Sequence, residues 1–265
     1  MITSTRHPLV QAFRRVGAHS RRDPAGRMLL DGPRLIAEAL DAGLAISDAL
    51  VASPVATTRL APLVARLRQS GARVHEASPR VVQAAGTVVT SQGIVALAPR
   101  PAEASEAVLD DPGLVLLVAD GIQDPGNLGS MMRTALAADA TAVALTEETA
   151  DPFQPKVLRA AMGAAFRLPV LRRATVALRA ALVARRVCIV VADPRGPLDY
   201  LAAPLDPPVA IVIGNEASGP DPAWAPIGIG VRIPLFGPVE SLNAAAAAAV
   251  LLYEVARRRA GGHRV

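Results

Sequence analysis

Several residue types are scarce in this sequence, and each scarcity excludes a class of protein or site. The 265 residues include one cysteine, Cys188, which excludes a disulfide framework and a cysteine-rich zinc site. Aromatic residues make up only 3%, which disfavours a surface built from several stacked aromatic side chains. The histidines are too scattered for a Ser-His-Asp triad or a histidine metal site, so we expect no metal; they lie at positions 7, 19, 75 and 263.

Long apolar runs are also absent. No run reaches the length of a membrane span without a charge, Gly or Pro, so we expect no membrane contact. The start of the chain carries arginines but no continuous apolar segment behind them, so we expect no secretory signal. Because 51% of the residues are hydrophobic, a sizeable core is available. Together with the single cysteine, this fits a protein of the reducing cytoplasm.

Lysine is nearly missing, and the positive charge is unevenly distributed. Lys156 is the one lysine, so almost every cation is arginine, and the net charge is +5. Residues 1–100 contain thirteen arginines and six acidic residues, a net charge of +7, which predicts a basic binding module. The arginines near its start predict a phosphate-binding surface, with a merely solvated helix face as the alternative; the candidates are Arg14, Arg15, Arg21, Arg22 and Arg27.

The pattern of strands and helices divides the chain into two α/β domains. Residues 1–100 alternate short strands and helices, which predicts a small α/β domain. Residues 101–112 are rich in Pro, Ala and acids and read as a linker. Residues 113–265 begin with an apolar run typical of a central parallel strand. The alternation that follows predicts a parallel sheet with ligands at the carboxyl ends of its strands, a Rossmann-like arrangement.

Three polar, glycine-rich loops follow predicted strands of the second domain. The first is DPGNLG, with Asn127 as the expected N-cap of a helix that carries Arg133. The second is GNEASG at residues 214–219. The third opens a helix at Ser241, the expected N-cap ahead of six consecutive alanines. No G-x-G-x-x-G, Walker lysine or G-x-S-x-G elbow is present, so the loops suit a polar small molecule held mainly by backbone groups.

Taken together, these loops resemble the three motifs of the SpoU/TrmH class of RNA 2′-O-ribose methyltransferases. DPGNLGSMMRTALAADA resembles the first motif, IVIGNEASG the second, and IPLFGPVESLNAAAAAAVLLYE the third. This resemblance covers about residues 114–256, and the joint match of three motifs is highly specific. The part ahead of it, with MLLDGPRLIAEAL and TVVTSQGIVAL, is more loosely similar to the small RNA-binding domain that often precedes this catalytic domain.

The resemblance implies a fold and partners that the residue patterns alone do not give. It implies a deep trefoil knot in the C-terminal parallel-sheet domain, a homodimer, and S-adenosylmethionine as the methyl donor. The knotted loops would wrap this cofactor, with apolar contact and backbone hydrogen bonds to the adenine; the implied residues are Gly214, Asn215, Ile233, Leu235, Leu242 and Asn243. The alanine-rich helix would pack within the knot, so we expect leucine at Ala246 or Ala247 to disturb folding or cofactor binding.

The implied catalytic residues are Arg133, Asn127, Glu216, Ser241 and Asn243. The family assigns activation of the ribose hydroxyl to Arg133, but a guanidinium seldom releases a proton. We therefore expect Arg133 to stabilise the developing alkoxide and to anchor the neighbouring phosphate. Asn127 would hold Arg133 or the substrate, and Glu216 would position Arg133 or Asn243.

One later segment departs from the family pattern. Relatives often carry Arg-x-Ser-x-Gly where this chain has Arg159-Ala160-Ala161-Met162-Gly163, so the serine hydroxyl is missing. Arg159 remains a candidate RNA contact.

The sequence thus predicts methyl transfer from S-adenosylmethionine to a ribose 2′-OH of structured RNA, with 23S ribosomal RNA as the first choice. A transfer RNA substrate is the alternative within the same class. A catalytically silent RNA-binding protein with the same fold is the alternative from another class. A Rossmann-type oxidoreductase is disfavoured because the glycine fingerprint is missing.

Overall fold

The computed structural model describes residues 1–18, 23–53 and 59–261, which form two compact units. The first unit consists of Met1–Ala102 and Asp151–Arg167, and the second of Glu103–Ala150 and Leu168–Val265. The first division falls at the start of the expected linker. Two differences from the expected boundaries stand out, one in the linker and one at Asp151–Arg167.

The expected linker is largely part of the second unit. A short 3₁₀ helix spans Glu106–Asp110, and its Leu109 side chain is buried. The backbone N–H of Ala104 donates to the carbonyl of Val170 (2.8 Å). Proline and acidic residues suggest an open linker, but the buried Leu109 and the hydrogen bond of Ala104 hold the segment against the second unit.

In the first unit, a four-stranded sheet has the order β1-β4-β2-β3. β1 and β2 each pair antiparallel with β4, while β2 and β3 are parallel. The strands are β1 (Arg27–Asp31), β2 (Asp48–Ala52), β3 (Arg73–Ala77) and β4 (Ile94–Pro99). The helices are α1 (Pro8–Ala18), α2 (Pro33–Asp41), α3 (Ala61–Gln69) and α4 (Pro79–Ala85). On α1, Val10, Phe13 and Val16 recur at a helical spacing and are fully buried.

The second unit is built on a seven-stranded sheet in which every pair of neighbouring strands is parallel, as predicted. Its order is β7-β6-β5-β10-β8-β11-β9. The strands are β5 (Val115–Asp120), β6 (Ala142–Leu145), β7 (Val170–Arg172), β8 (Cys188–Ala192), β9 (Leu198–Asp199), β10 (Val209–Gly214) and β11 (Ile229–Arg232). All six residues of β5 are buried, which explains why the five residues ahead of Asp120 are all apolar.

The described residues also form the α-helices α5 (Pro125–Ala137), α6 (Pro155–Ala161), α7 (Thr175–Ala184) and α8 (Ala244–Gly261). Short 3₁₀ helices lie at Ala164–Phe166 and Pro222–Trp224. Helix α6 belongs to the first unit, where it contacts β1, although the sequence pattern had assigned it to the second domain. Val157 and Leu158 form the buried face of this helix.

Two helices begin at residues other than those predicted. α5 begins at Pro125, and the Asp124 carboxylate accepts from the backbone N–H of Asn127 (2.8 Å), so Asp124 and not Asn127 is the N-cap. Proline favours the first helical position, which places the cap one residue before it. α8 begins at Ala244, and Asn243 Oδ1 accepts from the backbone N–H groups two and three residues on. Asparagine caps as well as serine does, so the N-cap prediction for Ser241 is wrong.

The alanine run of α8 is less enclosed within one chain than its composition suggests. α8 contacts α5 and β10. Ala248 is fully buried, whereas Ala246 is exposed and Ala247 is half-buried. The crowding expected at Ala246 is therefore absent from the single chain, and Ala248 is the position at which a larger side chain meets the core.

The C-terminal half of α8 is fixed by a buried carboxylate. Glu254, 6% exposed, accepts from Arg257 Nε and Nη2 and from Arg258 Nε, each at 2.8 Å. Arg258 also donates to the carbonyls of Leu201 (2.8 Å) and Ala203 (2.7 Å). The two guanidinium groups lower the pKa of Glu254 from 4.5 to about 2.

Among the described residues, no helix combines the length and the apolar character needed to cross a membrane. Within the same residues, no three side chains of the His, Cys, Asp and Glu types come together as a metal site.

The pKa of Glu254 predicts a loss of stability in acid. A carboxyl whose pKa is depressed in the folded state stabilises the protein above its ordinary pKa of 4.5 and loses that contribution as the pH falls towards 2. We expect Glu254→Gln to lower the free energy of unfolding by on the order of 1–3 kcal/mol near neutral pH. The difference from the wild type should shrink steadily as the pH falls below 4.5. Urea unfolding across this pH range measures it, and a pH-independent difference would contradict the assignment.

Candidate active site

The three polar loops meet at one edge of the parallel sheet, as predicted. β5, β10 and β11 end at Asp120, Gly214 and Arg232, and parallel strands place their carboxyl ends at the same edge. We call the segments that follow them the first loop (residues 121–124), the second loop (residues 215–219) and the third loop (residues 233–243).

A chain of side-chain hydrogen bonds joins all three motifs. Asn127, in the first turn of α5, donates through Nδ2 to Glu216 Oε1 of the second loop (2.8 Å). Asn243, at the end of the third loop, donates through Nδ2 to Asn127 Oδ1 (2.9 Å). Asn243 Oδ1 is then left to cap α8, as described above. In both asparagines, Nδ2 therefore donates a hydrogen bond and Oδ1 accepts at least one.

This chain of hydrogen bonds has only one consistent direction. A carboxylate can only accept, so Glu216 must face the NH₂ group of Asn127. Asn127 Oδ1 is then an acceptor, which requires the NH₂ group of Asn243 and leaves the Asn243 oxygen for the helix N–H groups. Replacing either amide by a carboxylate would bring two acceptors together.

Gly214, the last residue of β10, forms the tightest point of the second loop. A Cβ atom at this position would lie 1.9 Å from the backbone N of Pro220 and 2.3 Å from the carbonyl carbon of Gly219. Asn215 and Gly219 exchange two backbone hydrogen bonds across the same turn (3.0 and 2.9 Å). Only glycine permits this approach, so the position is a steric requirement of the loop.

Asn215 was predicted to contact a cofactor, and the structure shows its side chain bracing the loops. Its Nδ2 donates to the carbonyl of Gly121 in the first loop (2.8 Å). Its Oδ1 accepts from the backbone N–H groups of Ala217 (2.9 Å) and Ser218 (3.1 Å). The side chain therefore fixes the first loop to the second, while the backbone N–H and carbonyl of Asn215 are bonded to Gly219.

Asp120 is a residue of this edge to which sequence reasoning gave no role. It is 4% exposed and ends β5. Its Oδ1 accepts from the Thr146 hydroxyl (2.8 Å), and its Oδ2 accepts from the backbone N–H of Asp221 (2.8 Å). A single acid at the end of an otherwise apolar strand is the signal that could have found it.

Arg133 stands apart from the hydrogen-bonded chain. It is exposed on α5, whose buried residues include Leu128 and Met132. Within the described residues its guanidinium makes no hydrogen bond or ion pair. The expected contact of Asn127 or Glu216 with Arg133 is therefore not present. Arg133 follows Asn127 by six positions, which corresponds to a rotation of about 240° around the helix axis, so the two side chains leave α5 in different directions.

The third loop presents open backbone and apolar side chains. Ile233 and Leu235 are half-buried, and Leu242 is 38% exposed. Ser241 is exposed and has no hydrogen-bond partner among the described residues. Within the described chain, the backbone of this loop makes two hydrogen bonds: Val239 N donates to Gly237 O (2.9 Å), and Asn243 O accepts from Ala247 N of α8 (2.9 Å). Its other amide and carbonyl groups are available to a flat, polar ligand such as a nucleoside base.

The arginines predicted to contact RNA belong to the first unit, and they differ in whether their guanidinium groups already bind another side chain. Arg14 and Arg15 are exposed on α1. Arg27 is paired with Asp23 through Nε (2.9 Å) and Nη2 (3.0 Å), which lowers the pKa of that carboxyl. Arg159 donates to the Thr87 hydroxyl (3.0 Å). Arg21 and Arg22 lie outside the described residues.

Two family models and a curated relative match this chain. The SpoU rRNA Methylase family model matches residues 114–253, and the model for RNA 2′-O ribose methyltransferase substrate binding matches residues 29–104. The chain is 32% identical over 255 residues to the 23S rRNA (guanosine(2553)-2′-O)-methyltransferase RlmP of Bacillus subtilis (strain 168). That alignment covers 96% of this chain and 98% of the relative.

Two solved structures extend the likeness. The AdoMet-bound rRNA methyltransferase from Sinorhizobium meliloti has a TM-score of 0.86 at 29% identity, with 97% of each chain covered. The SpoU methyltransferase AviRb from Streptomyces viridochromogenes, in complex with AdoMet, has a TM-score of 0.82 at 27% identity, with 96% of this chain and 98% of that chain covered. With one family model spanning more than half of the chain and a relative matching nearly all of it, this chain belongs to the SpoU family of rRNA methylases.

Proposed function

We propose that this chain transfers a methyl group from S-adenosylmethionine to a ribose 2′-OH of structured RNA, with 23S ribosomal RNA as its substrate. The observation that carries the proposal is the hydrogen-bonded chain Glu216–Asn127–Asn243, which joins the three motif loops at the carboxyl edge of the sheet. The match with RlmP over almost its full length supports ribosomal RNA.

The residues at this edge fit S-adenosylmethionine. The close turn at Gly214 and the open backbone of the third loop suit the adenosine part, with apolar contact from Ile233, Leu235 and Leu242. The AdoMet complexes of two structural relatives support this fit. When bound, S-adenosylmethionine supplies a methyl group on a positively charged sulfur.

Arg133 has the chemistry to act on the ribose hydroxyl. A 2′-OH is a poor nucleophile because its pKa is far above 7, and charge builds on its oxygen as the methyl group approaches. The five N–H donors of a guanidinium stabilise such an alkoxide and can bind the neighbouring phosphate at the same time. The exposed position of Arg133, without a partner among the described residues, suits contact with a substrate. Asn127 and Glu216 then shape the pocket and do not hold Arg133.

We propose a homodimer formed through the second unit. Its exposed apolar side chains on α5, α8 and the third loop support this assembly. Leu136 is 36% exposed, Tyr253 54% and Phe236 99%. Burial of such side chains between two chains would remove them from water.

We also propose the trefoil knot. β11 lies beyond β8, two positions from β10 in the sheet. The chain then returns through the third loop, so that α8 contacts α5 and β10. A return across the sheet of this kind is what threading of the C-terminal segment requires. The match to a family structure over 97% of this chain supports the knot.

We further propose a cytoplasmic location, which the choice of ribosomal RNA as the substrate supports.

Two measurements test the function. We expect the full chain to bind S-adenosylmethionine in a calorimetric titration, and to transfer label from this cofactor to 23S ribosomal RNA within total RNA. Mapping should place the label on a ribose 2′-oxygen. Absence of binding at millimolar cofactor would favour a silent RNA-binding protein, and label on transfer RNA would change the substrate. A methyl group on a base would contradict the mechanism.

If Arg133 acts on the ribose hydroxyl, its substitution should lower kcat without changing the melting temperature. Lysine keeps the charge but loses the planar fork, so we expect Arg133→Lys to lower kcat by about 10- to 100-fold. Because Arg133 is exposed, the melting temperature should stay at the wild-type value. Arg186→Lys, at another exposed arginine of the second unit, is the matched control. Near-full turnover in Arg133→Lys would argue against a need for the fork.

The direction of the hydrogen bonds predicts a rescue. Asn127→Asp places two carboxylates against each other at the 2.8 Å contact with Glu216, so we expect kcat/KM to fall. A fall of about tenfold or more corresponds to one lost charge-assisted contact. In the double variant Asn127→Asp/Glu216→Gln, glutamine donates where glutamate accepted, and activity should recover in part.

Glu216→Gln alone is the control for this rescue. If the double variant were no more active than Asn127→Asp, the two side chains would not act through their mutual hydrogen bond.

A further inference from the structure

The first unit contains a basic groove that is separate from the motif loops. Its volume is about 680 Å³, and it lies along α4 and the segment 87–93 that leads into β4; we call it the α4 groove. Arg59, Arg80 and Gln83 are among its lining residues, and no acidic residue lines it among those described. A smaller hollow of about 340 Å³ shares Arg59 and adds Arg34.

The segment 87–93 is braced from inside the groove. Gln83 Nε2 donates to the carbonyl of Val88 (2.8 Å), and its Oε1 accepts from the backbone N–H of Ser91 (2.8 Å). The Ser91 hydroxyl accepts from the backbone N–H of Gly93 (3.1 Å). One glutamine side chain therefore fixes both sides of the turn at residues 89–90.

The base of the same segment is fixed by a buried carboxylate. Asp31, 6% exposed, accepts through Oδ2 from the backbone N–H groups of Thr87 (2.6 Å) and Val88 (3.1 Å). The Thr87 hydroxyl donates to the same oxygen (3.1 Å) and accepts from Arg159 (3.0 Å). A surface turn held by this many contacts presents its tip in a fixed geometry.

An apolar side chain stands at that tip. Val89 is 98% exposed, next to the polar Thr90 and Ser91. A single exposed valine is ordinary on a protein surface. A valine on a braced turn, beside a groove with two exposed arginines, is placed to meet a partner. Within the described residues, Arg34, Arg59 and Arg80 make no ion pair or hydrogen bond, so their guanidinium groups are available.

We propose that the α4 groove binds unpaired nucleotides of the RNA substrate. Arg59 and Arg80 contact the phosphates, and Val89 packs against the face of an unpaired base whose edge is within reach of the Thr90 and Ser91 hydroxyls. The excess of arginine over acidic residues in residues 1–100 complements a polyanion. An apolar tip has no partner on the backbone of a duplex, whereas unpaired bases offer apolar faces. The inference rests on the proposed function only in taking RNA as the partner.

Fluorescence anisotropy with the full chain tests this inference on two labelled probes. One is a hairpin RNA with a wide unpaired loop, and the other is a fully paired RNA duplex of equal length. We expect Arg80→Gln to weaken binding of both probes by about three- to tenfold and to lower the salt slope by about 1. We expect Val89→Ser to weaken binding of the hairpin by about threefold and to leave the duplex unchanged.

Two matched variants control for charge and for exposed apolar area. Arg68→Gln removes an exposed arginine of α3 that does not line the groove, and Val176→Ser changes a valine of α7 that is 73% exposed. The inference is overturned if Arg80→Gln and Val89→Ser bind both probes as these controls do. Equal weakening of hairpin and duplex by Val89→Ser also overturns the base contact.

S-adenosylmethionine affinity separates this inference from the proposed function. Both groove variants should keep the wild-type cofactor affinity and melting temperature, because Val89 and Arg80 are exposed in the first unit. A wild-type chain that binds the hairpin but no cofactor would contradict the methyltransferase and leave the groove assignment supported. If the chain binds the cofactor but the groove variants have no effect on RNA binding, the groove assignment is contradicted and the methyltransferase proposal is supported.

Discussion

The edge of the sheet where the three loops meet depends on one constraint: the Glu216 carboxylate can accept hydrogen bonds but cannot donate them. This fixes the orientation of the Asn127 amide, which fixes that of Asn243, which in turn leaves an oxygen to cap α8. Loops that are far apart in sequence are thus brought into one geometry by the direction of their hydrogen bonds. The tight turn at Gly214 adds a steric limit at the same edge, because no side chain fits between β10 and Pro220.

The layout of this edge could be predicted from the sequence, because it follows from the order of strands and loops along the chain. Apolar strands followed by polar loops predict a parallel sheet with its polar groups at one edge, and the structure confirms this. The family resemblance then identified Asn127, Glu216 and Asn243, which do meet. Their pairing could not be read from the sequence, since it depends on which amide atom faces which partner.

The errors of sequence reasoning came from competition between residues of similar propensity. Asp124 and Asn127 can both cap α5, and Ser241 and Asn243 can both cap α8. In the structure the caps are Asp124, directly before Pro125, and Asn243, directly before Ala244. The placement of α6 was missed for a different reason. Its buried residues would suit either core, and only the three-dimensional contact with β1 assigns it to the first unit.

Both units fix a distant loop with a buried aspartate at the end of a strand. Asp31 ends β1 and binds the backbone of residues 87–88, and Asp120 ends β5 and binds the backbone N–H of Asp221. A buried carboxylate is costly unless its oxygens accept hydrogen bonds, so each aspartate strongly favours the loop conformation that supplies the donors. The sheets therefore help to fix the position of each loop, in addition to the contacts that the loops make through their own residues. This is why the turn that presents Val89 and the second loop that presents Glu216 can each hold a fixed geometry at the protein surface.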